Sequence, residues 1–245
     1  MPSKAHIKNI YSLKDKKSRQ ISQLFTIEGI KSVKEIANEG TIIIKELYAI
    51  DSMAKNIPEC YSHILQIISP EEIKQMSSQS SPEGVLAVCQ IPSHHLPEWE
   101  KDTLYIALDG VRDPGNLGTI IRLADWFGVR DIICSNDTVD VYNPKTIAST
   151  MGSIARVRVH YVDLPTTLSR CPVPVFGTFL NGENIYNKTL PMGAVMVIGN
   201  EAHGISPAIE ALCRERITIP RFGESRTESL NAAMATAILL GLWRR

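Results

Sequence analysis

The sequence predicts an α/β protein in two parts: a small α/β domain over residues 1–91 and a larger domain over 103–245 built on a mainly parallel sheet. Three observations predict it. Short β-branched and apolar runs alternate with helical patterns along most of the chain, as strands joined by helical crossovers do. Residues 91–102 interrupt the alternation with Pro92, Pro97 and the pair His94-His95 before a charged end, so a linker is expected over 92–102. The composition, 44% hydrophobic and 21% charged over 245 residues, allows a sizeable core and excludes a disordered chain.

In the first part, residues 1–20 hold Lys4, Lys8, Lys14, Lys16, Lys17 and Arg19 against Asp15 alone. That charge reads as a solvated tail or as a phosphate contact. Strands are expected at 24–27, 41–44, 64–68 and 85–89, where β-branched residues concentrate. A helix over 30–37 places Ile30, Val33, Ile36 and Ala37 at helical spacing. Ser69-Pro70-Glu71-Glu72 carries the cap, the first-turn proline and the early acids of another helix start.

The second part opens with an apolar strand over 104–108, turn residues over 109–118, and a helix with Ile120, Ile121, Leu123, Ala124 and Phe127 facing inward. Further strands are expected at 131–134, 157–161, 173–179, 195–198 and 216–219, with helices after Pro144, Pro165, Pro207 and Ser229. In open parallel sheets, ligands lie beyond the carboxyl ends of the strands, so the informative residues should follow strands.

Several function classes drop out. Cys60, Cys89, Cys134, Cys171 and Cys213 lie far apart without a C-x-x-C pair, so buried free thiols are expected and no metal. No segment approaches the ~18 uninterrupted apolar residues of a membrane span, and a soluble, cytoplasmic protein is expected. Neither G-x-G-x-x-G nor G-x-x-x-x-G-K-[ST] occurs, which argues against a dinucleotide-dependent dehydrogenase and against a nucleoside-triphosphate site.

Three segments carry chemistry. Residues 109–118, rich in turn formers, lead into the helix of Arg122; Gly115 and Gly118 suit a tight loop, Asn116 can cap or contact a ligand, and Arg122 offers a planar fork of donors to phosphate or ribose oxygens. Gly199-Asn200-Glu201-Ala202-His203-Gly204 follows the apolar strand 195–198, a glycine pair around a carboxylate that can admit a flat ligand. Ile219-Pro220-Arg221-Phe222-Gly223, a polar insert over 224–228 and Ser229-Leu230-Asn231 open an alanine-rich helix, with Ser229 as its expected N-cap.

Together these segments resemble, in order and spacing, the SpoU (TrmH) family of RNA ribose 2′-O-methyltransferases, whose pattern is N-x-G-x-x-x-R, G-x-E-x-x-G, then I-P followed by S-L-N. Residues 1–91 are similar to the L30e-like substrate-binding domain often fused in front, most visibly at Phe25-Thr26-Ile27-Glu28-Gly29. Two departures stand out: Arg221 where methionine is frequent, and a loop over 223–229 about two residues longer than in many members. The resemblance implies a trefoil-knotted methyltransferase domain over 103–245 that dimerises through the knot, and an RNA substrate, ribosomal rather than transfer RNA. It further implies S-adenosylmethionine held at Thr178, Gly199, Asn200, Gly204, Ile219 and Leu230, and catalysis by Arg122, Asn116, Glu201, Ser229 and Asn231. The alternative is a non-catalytic RNA-binding assembly factor with the same fold, against which the intact Asn116, Arg122, Glu201 and Asn231 argue.

Overall fold

The computed structural model describes residues 2–224 and 226–245. The chain forms two compact units, Met1–Ser93 with Asp140–Arg156, and His94–Val139 with Val157–Arg245.

The first unit begins with two helices where the charge pattern reads as a tail. In α1 (Lys4–Ser12), the Ser3 hydroxyl accepts from the His6 amide, and Ile7 and Ile10 are buried. With Leu13 they continue one helical face and pack on Tyr48, Ile73, Met76, Leu86 and Val88. After α2 (Lys16–Ser22) come β1 (Leu24–Glu28), α3 (Ile30–Glu39), β2 (Ile44–Ala49), the short α4 (Asp51–Ala54), β3 (Leu65–Ile67), α5 (Pro70–Met76) and β4 (Val85–Gln90). The capping box expected at Ser69 forms with Glu72. The sheet runs β1-β4-β2-β3, antiparallel except for the last pair. The strand expected over 41–44 begins only at Ile44: Ile43 is exposed and the Thr41 hydroxyl donates to the Ala155 carbonyl.

Within the same unit, Arg19 is buried, 2% exposed, and not available to phosphate. Its guanidinium donates to the Leu13 and Lys14 carbonyls and to Asp140. Tyr142 packs on Phe25 with ring centroids 4.7 Å apart, and Arg156 pairs with Glu35 at 2.7 Å. The segment Asp140–Arg156 therefore supplies core and charge to the first unit.

The second unit contains β5 (Leu104–Asp109), α6 (Pro114–Trp126) and β6 (Asp131–Ser135). The chain then leaves it for Asp140–Arg156, which holds α7 (Pro144–Thr150), before returning with β7 (Arg158–Val162), α8 (Leu164–Ser169), β8 (Val175–Asn184), β9 (Ala194–Gly199), α9 (Pro207–Glu210), β10 (Glu215–Thr218) and α10 (Ala232–Trp243). All six strands are parallel, in the order β10-β8-β9-β5-β6-β7. β5 is buried at every position, as a central strand covered on both faces must be. From β5 the chain first builds outward through β6 and β7, then crosses to β8 on the other side and inserts β9 between β8 and β5, so β5 and β9 flank the switch in strand order. Their ends, Asp109 and Gly199, pair directly, and a ligand crevice is expected beyond them.

Burial of the thiols holds for Cys89, Cys134 and Cys171, while Cys213 is half-buried and Cys60 is exposed. Among the described residues, no helix is long and apolar enough to cross a membrane, and no cluster of His, Cys, Asp and Glu could hold a metal ion.

Candidate active site

The loop leaving β5 turns at Gly110, whose φ of +69° suits glycine. The Gly110 amide donates to the Ser135 hydroxyl and its carbonyl accepts from Asn200. The helix then starts earlier than the glycines imply. Asp113 caps α6 by accepting from the Asn116 amide at 2.8 Å, and Pro114 takes the first turn, so Gly115 and Gly118 are helical rather than parts of a tight loop. Asn116 thus sits on a rigid first turn.

Beyond β9, Asn200 and Gly204 close a narrow loop through two backbone hydrogen bonds of 2.9 and 2.8 Å. The Asn200 side chain is spent on structure: its oxygen accepts from the Ala202 and His203 amides, and its nitrogen donates to the Gly110 carbonyl at 2.6 Å. That last bond ties the loop after β9 to the loop after β5. Ser206 adds a second tie, its amide donating to Asp109 at 2.6 Å. Gly199 is required by space, since a Cβ there would lie 2.3 Å from the Gly204 carbonyl carbon.

The third segment ends at the N-cap of α10. Asn231, not Ser229, is that cap, its side-chain oxygen accepting from the Ala233 and Met234 amides. Its side-chain nitrogen donates to the Asn116 oxygen at 2.8 Å, and the Asn116 nitrogen donates to Glu201 at 2.7 Å. One hydrogen-bond chain, Asn231 to Asn116 to Glu201, therefore joins all three segments. Arg122 lies two turns along α6 from its start, exposed and outside that chain. Six residues rotate a helix by about 600°, so Arg122 points some 120° away from Asn116.

Beside this chain opens a cavity of about 850 Å³. Thr178, Gly199, Asn200, Gly204, Ile219 and Leu230 all line it, as do Glu201 and Ser229. The Thr178 hydroxyl is turned to the Val197 carbonyl at 2.9 Å, so Thr178 braces β8 against β9. Part of the wall had no motif to announce it: the Arg216 guanidinium lies 3.7 Å from the centroid of the Phe179 ring and pairs with Glu210. The insert over 224–228 borders the site, and of it Ser225 lies outside the described residues.

The volume is within the range of small-molecule and cofactor pockets, about 300 to 1,000 Å³. Gly204, at φ +71° with nothing within 4 Å of where a Cβ would stand, leaves the backbone open to a flat ligand. Apolar Ile198, Ile217, Ile219 and Leu230 and strand-end backbone groups fit an adenosine moiety.

Comparisons with known proteins agree in direction. Residues 103–241 match the model of the SpoU rRNA methylase family, and residues 4–87 match that of the MRM3-like substrate-binding domain. The 23S rRNA (guanosine(2553)-2′-O)-methyltransferase RlmP of Bacillus subtilis is 30% identical over 96% of this chain and 94% of its own. A solved structure from Porphyromonas gingivalis, assigned to the TrmH family of RNA methyltransferases, is 37% identical with a TM-score of 0.89, covering 100% of this chain and 98% of its own. An AdoMet-bound rRNA methyltransferase from Sinorhizobium meliloti is 29% identical with a TM-score of 0.87, covering 100% and 96%.

Proposed function

Because this chain belongs to the SpoU rRNA methylase family, we propose that Asn116, Glu201, Ser229 and Asn231 form the face on which it methylates a ribose 2′-hydroxyl of ribosomal RNA, with Arg122 acting on the nucleotide from another side of α6. The activity is that of an RNA 2′-O-ribose methyltransferase, with S-adenosylmethionine as methyl donor. The observation that carries the placement is the chain from Asn231 through Asn116 to Glu201, set beside a cavity lined by all six residues expected to hold the cofactor.

When bound, S-adenosylmethionine supplies a methyl group on a cationic sulfur, already activated toward an oxygen nucleophile. A ribose hydroxyl is hardly ionised at neutral pH, so the protein must position and polarise it. Asn116 and Glu201 fix the loops on either side of the crevice and present amide and carboxylate groups to the nucleotide. A guanidinium is a poor base, so Arg122 orients the hydroxyl and its neighbouring phosphate through its donor fork. Ser229, on the cavity wall, adds a hydroxyl to the same face.

The same reading includes a trefoil knot, a homodimer and cytoplasmic residence. Support for the dimer comes from α6 and α10, which pack together yet leave Trp126, 84% exposed, and Met234 in contact with solvent. Sedimentation at micromolar concentration is expected to show two copies, and a monomer would refute the dimer. The domain over residues 4–87 supplies RNA contact.

Ribose-methylation mapping of ribosomal and transfer RNA from cells with and without the gene tests the function. One 2′-O-methyl group should vanish from 23S rRNA; identical maps, with no calorimetric heat on adding S-adenosylmethionine, would leave the non-catalytic RNA-binding reading.

A further inference from the structure

The loop after β10 does more than connect a strand to a helix. Arg221 lines the cavity and turns its guanidinium onto the Glu228 carbonyl. The next residue, Phe222, is 75% exposed, and Gly223 follows at φ +62°. Opposite stands Tyr186, 39% exposed, in the 3₁₀ turn Ile185–Asn187 that follows β8. The two ring centroids are 6.3 Å apart at an interplanar angle of 54°.

Single exposed apolar residues need no explanation, but a pair of exposed rings beside a ligand cavity has one. Local bonds hold the pair in place: the Asn184 side chain caps the Tyr186 turn, and the Arg221 bond to Glu228 closes the base of the Phe222 loop. The loop carries charges of both signs, with Arg221 next to Phe222 in the chain and Arg226 further on, beside Glu224 and Glu228, all exposed, and Leu180, on the cavity wall, is exposed too. Aromatic faces next to a cation are the combination that holds an unstacked base, the ring by stacking and the phosphate by charge.

Resting on the methyltransferase reading above, we propose that Phe222 and Tyr186 form a stacking platform for an unpaired RNA base flanking the nucleotide to be methylated. They are positioning residues. Neither Phe222 nor Tyr186 lines the cofactor cavity, so the platform bears on substrate choice and not on cofactor binding.

The test uses the full chain, a short fluorescent single-stranded oligoadenylate and a 23S rRNA transcript. Phe222→Ala is expected to weaken oligoadenylate binding about tenfold and to raise KM for the transcript more than it lowers kcat. Phe222→Trp should restore both, and calorimetric affinity for S-adenosylmethionine should not change. No oligoadenylate binding by the wild type overturns the proposal, as does binding by Phe222→Ala within about twofold of it. Sedimentation in which Phe222→Ala turns a dimer into a monomer also overturns it, because the rings would then be a contact between copies. Methyl transfer by the wild type is read separately. Its absence with intact oligoadenylate binding removes the methyltransferase reading while the platform stands as an RNA site.

Discussion

Asn116 donates its side-chain amide to Glu201 at 2.7 Å although 85 positions separate them, and the bond ties the first turn of α6, which follows β5, to the loop that follows β9, at the sheet's switch point. Asn116→Ala removes the link between Glu201 and Asn231 without emptying the core. Single-turnover methyl transfer should fall on the order of 100-fold, the cost of misplacing groups by about an ångström. A rate within threefold of wild type would mean that the chain of amides is scaffolding only.

Asn231 performs two tasks that substitution can separate. Asp keeps the oxygen that caps α10 but cannot donate to Asn116, whereas Ala loses both. Urea unfolding should show Asn231→Ala less stable by about 1 kcal/mol and Asn231→Asp near wild type, with both impaired in turnover. Full activity in the Asp variant would remove the Asn231–Asn116 bond from the mechanism.

Arg122→Lys retains a positive charge but not the planar fork. Turnover should drop at least tenfold, by loss of a bidentate contact worth about 1.4 kcal/mol or more in the transition state, while calorimetry with S-adenosylmethionine stays unchanged. Near-normal turnover would argue that charge alone suffices.

Gly199 has no room for a side chain, since backbone atoms of Gly204 and Ile205 lie within 2.4 Å of the Cβ position. Gly199→Ala should force the loop after β9 open and weaken S-adenosylmethionine binding about 100-fold or more, with circular dichroism unchanged. Unaltered affinity would place the cofactor elsewhere.

Asp131 offers a pH-dependent test. Burial alone would raise its carboxyl, but hydrogen bonds from His160 and Arg158 prevail and hold it below the ordinary carboxylate value. Its folded pKa is therefore below that of the unfolded chain, about 3.9. The stabilisation is full above that value and is lost as pH falls through the folded one. Asp131→Asn should cost about 2 kcal/mol at neutral pH, and the gap from wild type should shrink below pH ~4. A gap that stays constant down to pH 2 would rule this out.

How much of this was legible in sequence depended on whether the signal was local. β5 and β9 were readable because buried parallel strands are continuous apolar runs, whereas the residues of the cavity wall came from the family resemblance, with the rule that ligands gather at strand ends pointing only to the same end of the sheet. α1 was not, because the buried Ile7, Ile10 and Leu13 lie in a lysine-rich stretch without an apolar run. Gly115 and Gly118 misdirected the start of α6, although Asp113-Pro114 is itself a cap followed by a first-turn proline. Ser229 and Asn231 are both competent caps, and local chemistry could not choose between them. The Arg216–Phe179 stack and the placement of Asp140–Arg156 depend on long-range packing, for which a single sequence holds no periodic trace.

Asp140–Arg156 also bears on how such a protein can be inherited or rebuilt. The chain passes between its two units three times, at 93, 139 and 156. A gene fragment cut at the proline-containing connector would leave Arg19 buried without Asp140 and Phe25 without Tyr142, the first of which is a severe penalty. Recombination that grafts a new front half onto this enzyme must therefore carry the excursion with it, because that segment folds as part of the first unit although the chain reaches it from the second.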